Sequence, residues 1–582
     1  MYGRFLPFGP STAGPFHDWE QDMLHLLRLS VFSITIMGAL ATDSLSQVCE
    51  LEKVVASDAD PLHAFGAATA IDGLVAIVGD PGNGDVAPRA GAAYVYEFEN
   101  DAWVEKQKLT AVDGAEDDFL GESVAISGNV IVAGARRHDS SGEEAGAVYV
   151  YRFNGSAWVQ EQKLTASNAE SLDEFGEEVA IDGNIIVVGA PFFNIAGAPP
   201  GSAYIFRFDG NSWLEEQELV AGVSGDRFGT FVAIDADVIA VGAPMATHVF
   251  GDAGEAYVFR HDGNSWQQEQ LLFASDFLPG DHFGSTMAVE MDTVIAVSPE
   301  RQNGGVAYVF HHNTGAWSQV QTLNAGSIGL GLALRLREPW LILSSPSDSE
   351  VAKKAGAAFV YKNVGGTWTL FQKLTASDGA VEDRLGEGAT INEHFAIVSS
   401  TRTAGGAGAF YAYPLGPDCN ANTAPDLCDL HLQTSTDCDG NYVPDECDSP
   451  DCNANSLPDE CDLVSGVSFD CDGDSVPDEC VTCTMDCHCH DHDVCSQDSC
   501  DVGVCLHMDR VFGDANFDGA VDIFDILCVL DGFAGAFTPP CTLSNLDLSP
   551  CPGGDGGVDI FDILGVLDAF SGVNVCGCLA GP

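Results

Sequence analysis

Asp, Asn and Cys recur together between residues 418 and 480 in four near-copies of one phrase: DCNANTAPDLCD from Asp418, DCDGNYVPDECD from Asp437, DCNANSLPDECD from Asp451 and DCDGDSVPDEC from Asp470. Numbered from the first Asp, oxygen-bearing side chains fall at positions 1, 3, 5 and 9, and in three copies at 12. These are Asp418, Asn420, Asn422, Asp426 and Asp429; Asp437, Asp439, Asn441, Asp445 and Asp448; Asp451, Asn453, Asn455, Asp459 and Asp462; and Asp470, Asp472, Asp474 and Asp478. Alternate side chains on a turning chain, helped by a backbone carbonyl at position 7, can enclose a hard cation that takes about six to eight oxygens, so calcium is the expected ion. A constant Pro at position 8 and Cys at positions 2 and 11 set the phrase apart from an acidic linker. Each cysteine pair could close its own loop or bridge to the next copy, and spacing leaves both open.

A second set of candidate ligands lies near the C-terminus, in the doubled phrase GAVDIFDILCVLDGF (Gly519 to Phe533) and GGVDIFDILGVLDAF (Gly556 to Phe570). Counting from Asp514 places Asp514, Asn516, Asp518, Asp522 and Asp525 at loop positions 1, 3, 5, 9 and 12, with Gly519 at the sharp turn of position 6. In the second copy Cys551 and Gly553 occupy positions 1 and 3, leaving Asp555, Asp559 and Asp562. Ile526, Leu527, Val529 and Leu530 follow at helical spacing and should pack against Ile563, Leu564, Val566 and Leu567. Between the two sets, Cys487-His488-Cys489-His490-Asp491-His492 admits zinc or a disulfide-stapled knot; an oxidising compartment favours the knot. No nucleophile elbow, zinc-protease, phosphate-loop or dinucleotide motif is present, so no catalytic or cofactor-binding residue is assigned beyond the calcium ligands.

The charge has the same address. The chain of 582 residues carries a formal charge of -64, and from Asp418 onward thirty Asp and three Glu face one basic residue, Arg510. Such a surface repels nucleic acid and anionic membranes and attracts cations. Nineteen of the 20 cysteines lie between Cys419 and Cys578, with Cys49 alone before them, which suits an oxidising, extracellular setting. Leu29 to Leu40 is an apolar run ending in an Ala39-Leu40-Ala41 cleavage pattern, so residues 1–41 are expected to be a signal peptide, with Met23 an alternative start. Twelve residues fall short of the ~20 that span a bilayer, so no membrane span is expected once the signal is removed.

Ahead of the acidic tail, residues 49–415 repeat a unit of about 55 residues seven times. One glycine set falls at Gly66, Gly121, Gly176, Gly229, Gly284, Gly331 and Gly386, and a second at Gly91, Gly146, Gly201, Gly254, Gly305, Gly356 and Gly408. In the clearest copy, VAI and IIVVGA flank Asp182-Gly183-Asn184, a tight-turn sequence, and YIFRF and WLEEQEL alternate apolar and polar residues. Four strands per unit and seven units predict an all-β, seven-bladed propeller, because radial packing buries the faces that a lone sheet would expose. Tyr and Trp repeated once per blade should fill the space between sheets. Unit seven lacks a Trp strand, and Glu52 to Asp58 (EKVVASD) parallels Gln372 to Asp378 (QKLTASD), so the N-terminal strand is expected to complete the last blade. Unit six departs from the pattern at Arg335, Leu336, Arg337, Glu338 and Trp340, as a ligand site or as plain divergence.

DEFG at Asp173 to Gly176 and VGAP at Val188 to Pro191 resemble the FG-GAP repeats of integrin-α-type propellers over residues 49 to 415. The blade turns Asp182-Gly183, Ser127-Gly128 and Asp235-Ala236 are too short for that family's calcium cages, so no metal is expected in the propeller. Residues 418–480 resemble thrombospondin type 3 calcium repeats, residues 481–510 form a Cys-rich disulfide module, and residues 511–571 resemble a dockerin type I module with EF-hand-like loops. The dockerin resemblance implies a cohesin-like or other surface-protein partner; Ile523-Phe524 and Ile560-Phe561, where the family carries small hydroxyl residues, point to an apolar partner surface. Together these imply a secreted, non-enzymatic, calcium-binding adhesion or scaffold protein whose propeller recognises an extracellular glycan or protein. The alternative is a polysaccharide-active glycosidase or lyase with its site in the propeller funnel.

Overall fold

The computed structural model describes residues 49–416 apart from 192–199, 248–250, 302–303 and 328, much of 418–465, the backbone of 496–501, 504–509 and 511–512, and isolated positions beyond. The expected signal segment, the fourth acidic copy, the Cys487–His492 cluster and the C-terminal loops lie outside the described residues.

Seven four-stranded antiparallel sheets follow one another along residues 52–414. Blade three shows the pattern: Val179–Asp182, Ile185–Ala190, Ser202–Phe208 and Trp213–Leu219 pair in chain order. The second strand reads IIVVGA and is buried throughout, whereas the outer strand WLEEQEL buries only its ends and exposes alternate residues. This is what a sheet edge facing water on one side requires. Blade seven is the exception in order: Gly388–Ile391, Phe395–Ser400 and Ala409–Pro414 take Glu52–Val54 as their outer strand, with Lys53 opposite Tyr411. The expected N-terminal clasp is thus in place.

Among the described residues the propeller has no single core. Seven apolar clusters each join two neighbouring blades, the last linking Tyr94, Tyr96 and Trp103 of blade one to Phe395, Ile397 and Phe410 of blade seven. The recurring Tyr and Trp side chains are buried in these clusters, each contributing on the order of 1.5–3 kcal/mol by leaving water. Both glycine sets have one cause. Gly91 and the Leu120-Gly121 segment of the next blade approach so closely that a Cβ on Gly91 would lie 2.2 Å from Leu120 O. The FG-set glycines all adopt positive φ, between 83° and 104°, a region that costs other residues strain.

Polar clamps join the blades at their outer strands. Gln217 donates its amide N–H to Trp266 O at 2.9 Å and accepts from Trp266 N–H at 2.9 Å, copying a β-bridge with a side chain. Gln107, Gln162, Gln270 and Gln321 do the same to Trp158, Trp213, Trp317 and Trp368. At the seam, Glu52 takes the glutamine's place and accepts from Trp103 N–H only. Further in, Tyr94, Tyr149 and Tyr411 donate their hydroxyls to Asp58, Asp113 and Asp378 of the preceding connection at 2.7, 2.8 and 2.7 Å. Among the described residues no helix is long and apolar enough to cross a membrane.

Candidate functional site

The innermost strand of each blade ends at a polar residue beside a two-residue turn, and in most blades that residue is committed to the next blade. Asp72 Oδ2 accepts the Gly128 N–H at 2.6 Å, Ser127 Oγ that of Gly183 at 3.1 Å, and Asp182 Oδ2 that of Ala236 at 2.8 Å. Asp235 and Glu290 cap Met291 and Glu338 at 2.6 Å each, and Asn392 closes the circle by donating to Gly73 O at 2.7 Å. These contacts tie each turn to its neighbour around the ring and give the turn N–H groups an acceptor. The turn acids are therefore structural clamps.

Blade six breaks the circle. Arg337 holds the position where the others have Asp, Ser, Glu or Asn, and it cannot accept a hydrogen bond. It instead lies 3.6 Å from Glu290 Oε1 and 3.8 Å from Glu393 Oε2. Two residues earlier, Arg335 replaces the alanine that five blades carry at Ala70, Ala125, Ala180, Ala233 and Ala288. The two arginines line a central channel of about 360 Å³ enclosed by the innermost strands. Arg335 Nη2 reaches across it to Glu178 Oε1 of blade three at 3.5 Å, and its guanidinium stands 5.9 Å from the Phe231 ring. Burial pushes the Glu178 carboxyl up to about 7, partly opposed by Arg335. Of the unit-six residues singled out in the sequence, Arg335 and Arg337 face the channel, Leu336 packs against the apolar cluster between blades five and six, and Trp340 is buried against Phe371 at 5.0 Å. Glu178 carried no signal in the sequence, since its partner lies three blades away.

At the opposite end of the ring, the connections next to the FG glycines expose apolar side chains: Leu62 at 87%, Val112 at 84%, Val381 at 63% and Val223 at 58%. These four belong to four different connections, and side chains so exposed are available for contact with a partner.

Three disulfides organise the start of the tail. Cys419 pairs with Cys447 and Cys438 with Cys461, so position 2 of one copy bonds position 11 of the next; Cys49 pairs with Cys428. Of the two arrangements open in the sequence, bridging to the next copy is the one found. The groups Cys419–Asp426–Cys447 and Cys438–Asp445–Cys461 bring sulfur and carboxylate together, but a disulfide sulfur is no thiolate ligand. The calcium candidates converge differently. Asp426 opens helix α1 (Asp426–His431) directly after Pro425, and one of its oxygens accepts the Cys419 N–H at 2.9 Å. Asp445 repeats this contact with Cys438 N–H at 2.9 Å, and Asp459 opens helix α2 (Asp459–Ser465) in the third copy. Positions 9 and 12 thereby share a helical face, three residues apart. Asp429 is 2% exposed and is met by the side-chain amides of Asn420 at 3.1 Å and Asn422 at 2.9 Å and by the Thr434 hydroxyl at 2.9 Å. Asp418 accepts the Asn422 N–H at 3.0 Å, so positions 1, 3, 5 and 12 of the first copy sit around one point. Asp437 and Asp462 are also among the described residues, the latter fully buried. Asp439, Asn441, Asp448, Asp451, Asn453, Asn455, all ligands of the fourth copy and those of the C-terminal module lie outside them.

The FG-GAP repeat pattern matches residues 49–96, 103–151, 158–206, 213–259, 266–310 and 368–413. Human integrin alpha-11 is 27% identical over 223 residues, covering 32% of this chain and 18% of that protein, so the chain spans less than a fifth of its relative. Residues 311–367, with Arg335 and Arg337, lie outside the matched segments.

Proposed function

Starting from a ring built of FG-GAP repeats, we propose that this is a secreted, calcium-binding, non-enzymatic adhesion or scaffold protein: the propeller binds an extracellular partner, the acidic tail carries calcium, and the C-terminal segment docks to a surface protein. The observation that carries the binding role is the apolar set Leu62, Val112, Val223 and Val381 exposed at one end of a closed propeller. The disulfides support an extracellular setting.

Calcium is supported by chemistry in the first copy. Among the described residues, the hydrogen-bond partners of the buried Asp429 carboxylate are neutral amides and a hydroxyl, and burying a carboxylate that way is costly. The Asn420 and Asn422 amides present nitrogen to Asp429; turned by 180° they would present oxygen to a cation. Asp418, Asn420, Asn422, Asp426 and Asp429 would hold Ca2+, whose charge would offset theirs.

The test of the binding role is capture of a partner from the source's own surface fraction by immobilised full-length protein. Leu62→Asp with Val112→Asp should abolish capture while the fold, followed by circular dichroism, is retained; undiminished capture would remove the face from consideration. A second reading rests on Glu178, a channel carboxyl held up to about 7 and so able to donate a proton near neutrality. It predicts sugar release from polysaccharide by purified protein, lost in Glu178→Gln.

A further inference from the structure

We propose that the blade-six end of the channel binds the carboxylate of a small acidic sugar, of the uronate class, between Arg335 and Arg337. A repeat protein has the same packing needs in every blade, so a residue that breaks the repeat at structural cost calls for another cause. Arg337 forgoes the turn clamp that its counterparts make in the other blades. Its guanidinium makes no hydrogen bond among the described residues; its carboxylate neighbours stand at 3.6 and 3.8 Å, beyond hydrogen-bond reach. Arg335 donates once, to Leu334 O at 2.9 Å, and its ion pair with Glu178 is loose at 3.5 Å. Two residues apart on one strand, the pair projects to the same side with spare donors, a geometry suited to a forked carboxylate.

The cavity selects the ligand class. About 360 Å³ accommodates a sugar residue or two, near the lower bound for small-molecule sites. Asp182 and Asp235 at the mouth can accept sugar hydroxyls, and Ile181 and Ile234 beside them offer an apolar wall. Those acids also argue against an acidic peptide, whose additional carboxylates would enter a channel already rich in negative charge. One carboxylate among neutral hydroxyls meets the two arginines with the least repulsion. The plainer role for the arginines is to neutralise Glu178, Glu290 and Glu393, and the experiment separates the two.

Titration calorimetry on the full-length protein with galacturonate, galactose, acetate and an oligo-aspartate peptide provides the test. Galacturonate should bind, with galactose and acetate at least tenfold weaker. Arg335→Ala and Arg337→Asn install residue types that other blades carry at these positions, so the variants should fold, and each should weaken galacturonate at least tenfold. Galacturonate failing to bind, binding unchanged in both variants, or tighter binding of the peptide would each overturn the proposal. Capture through Leu62 and Val112 is scored separately, so either result stands without the other.

Discussion

Glu52 stands where the other six outer strands carry glutamine, four residues after each Trp. A carboxylate can accept the Trp103 N–H but leaves Trp103 O unmet by the clamp. Burial raises the Glu52 pKa, with the Trp103 hydrogen bond and His431 acting the other way. The folded state therefore holds its proton more tightly than the unfolded chain, and stability falls as pH rises from the usual carboxylate range through the raised value. Glu52→Gln removes that loss and restores the second hydrogen bond. Chemical denaturation should show a gain of about 1 kcal/mol at pH 8, shrinking at pH 4; no gain at pH 8 would mean that the clamp does not work as described. The W-x-x-x-Q spacing was visible in the sequence, yet its meaning was not, because the partner is a backbone in the next blade.

At the scale of elements, glycines of the same type carry different loads. Gly91→Ala places a Cβ 2.2 Å from Leu120 O at a φ of 84°; the clash is backbone against backbone, and a loss above about 3 kcal/mol is expected. Gly183→Ala, at a φ of 53° with nothing near its Cβ, should cost about 1 kcal/mol, the ordinary penalty of a left-handed residue. Equal losses in an unfolding titration would contradict the packing described here. The two glycine ladders made the blade count legible from sequence, and alternation within WLEEQEL made the strands so. Disulfide register was not legible, since both pairings fit the spacing. Carried on along the chain, the bridge-to-next register would join Cys452 to Cys480; a disulfide map after aspartate-directed cleavage, which cuts between these cysteines, finding Cys471 with Cys480 instead would refute it.

For the whole molecule, the decisive contact is between the ends of the ring and the tail. Cys49–Cys428 ties the residues leading into the clasp strand to α1, Leu427 packs against the seam cluster, and Cys428 is fully buried. The sequence did not point to this link, because the lone Cys49 had no identifiable partner among the nineteen later cysteines. Cys49→Ser with Cys428→Ser frees a 379-residue loop and should cost about 4 kcal/mol, read as a lower denaturation midpoint of the propeller. If calcium holds the first loop, chelator should lower the same midpoint in the wild type; a midpoint indifferent to chelator would uncouple loop from ring.

The composite seventh blade also sets an order of events at the ribosome. Val54 emerges early, but its partner Phe410 is made only after every other blade, roughly 20 to 70 s later at about 5–20 residues per second. Throughout that interval the clasp segment and the open edge of blade one are both unmatched. Both await the same partner, blade seven, so the blade seven finished on one chain could close on the waiting clasp of another made beside it.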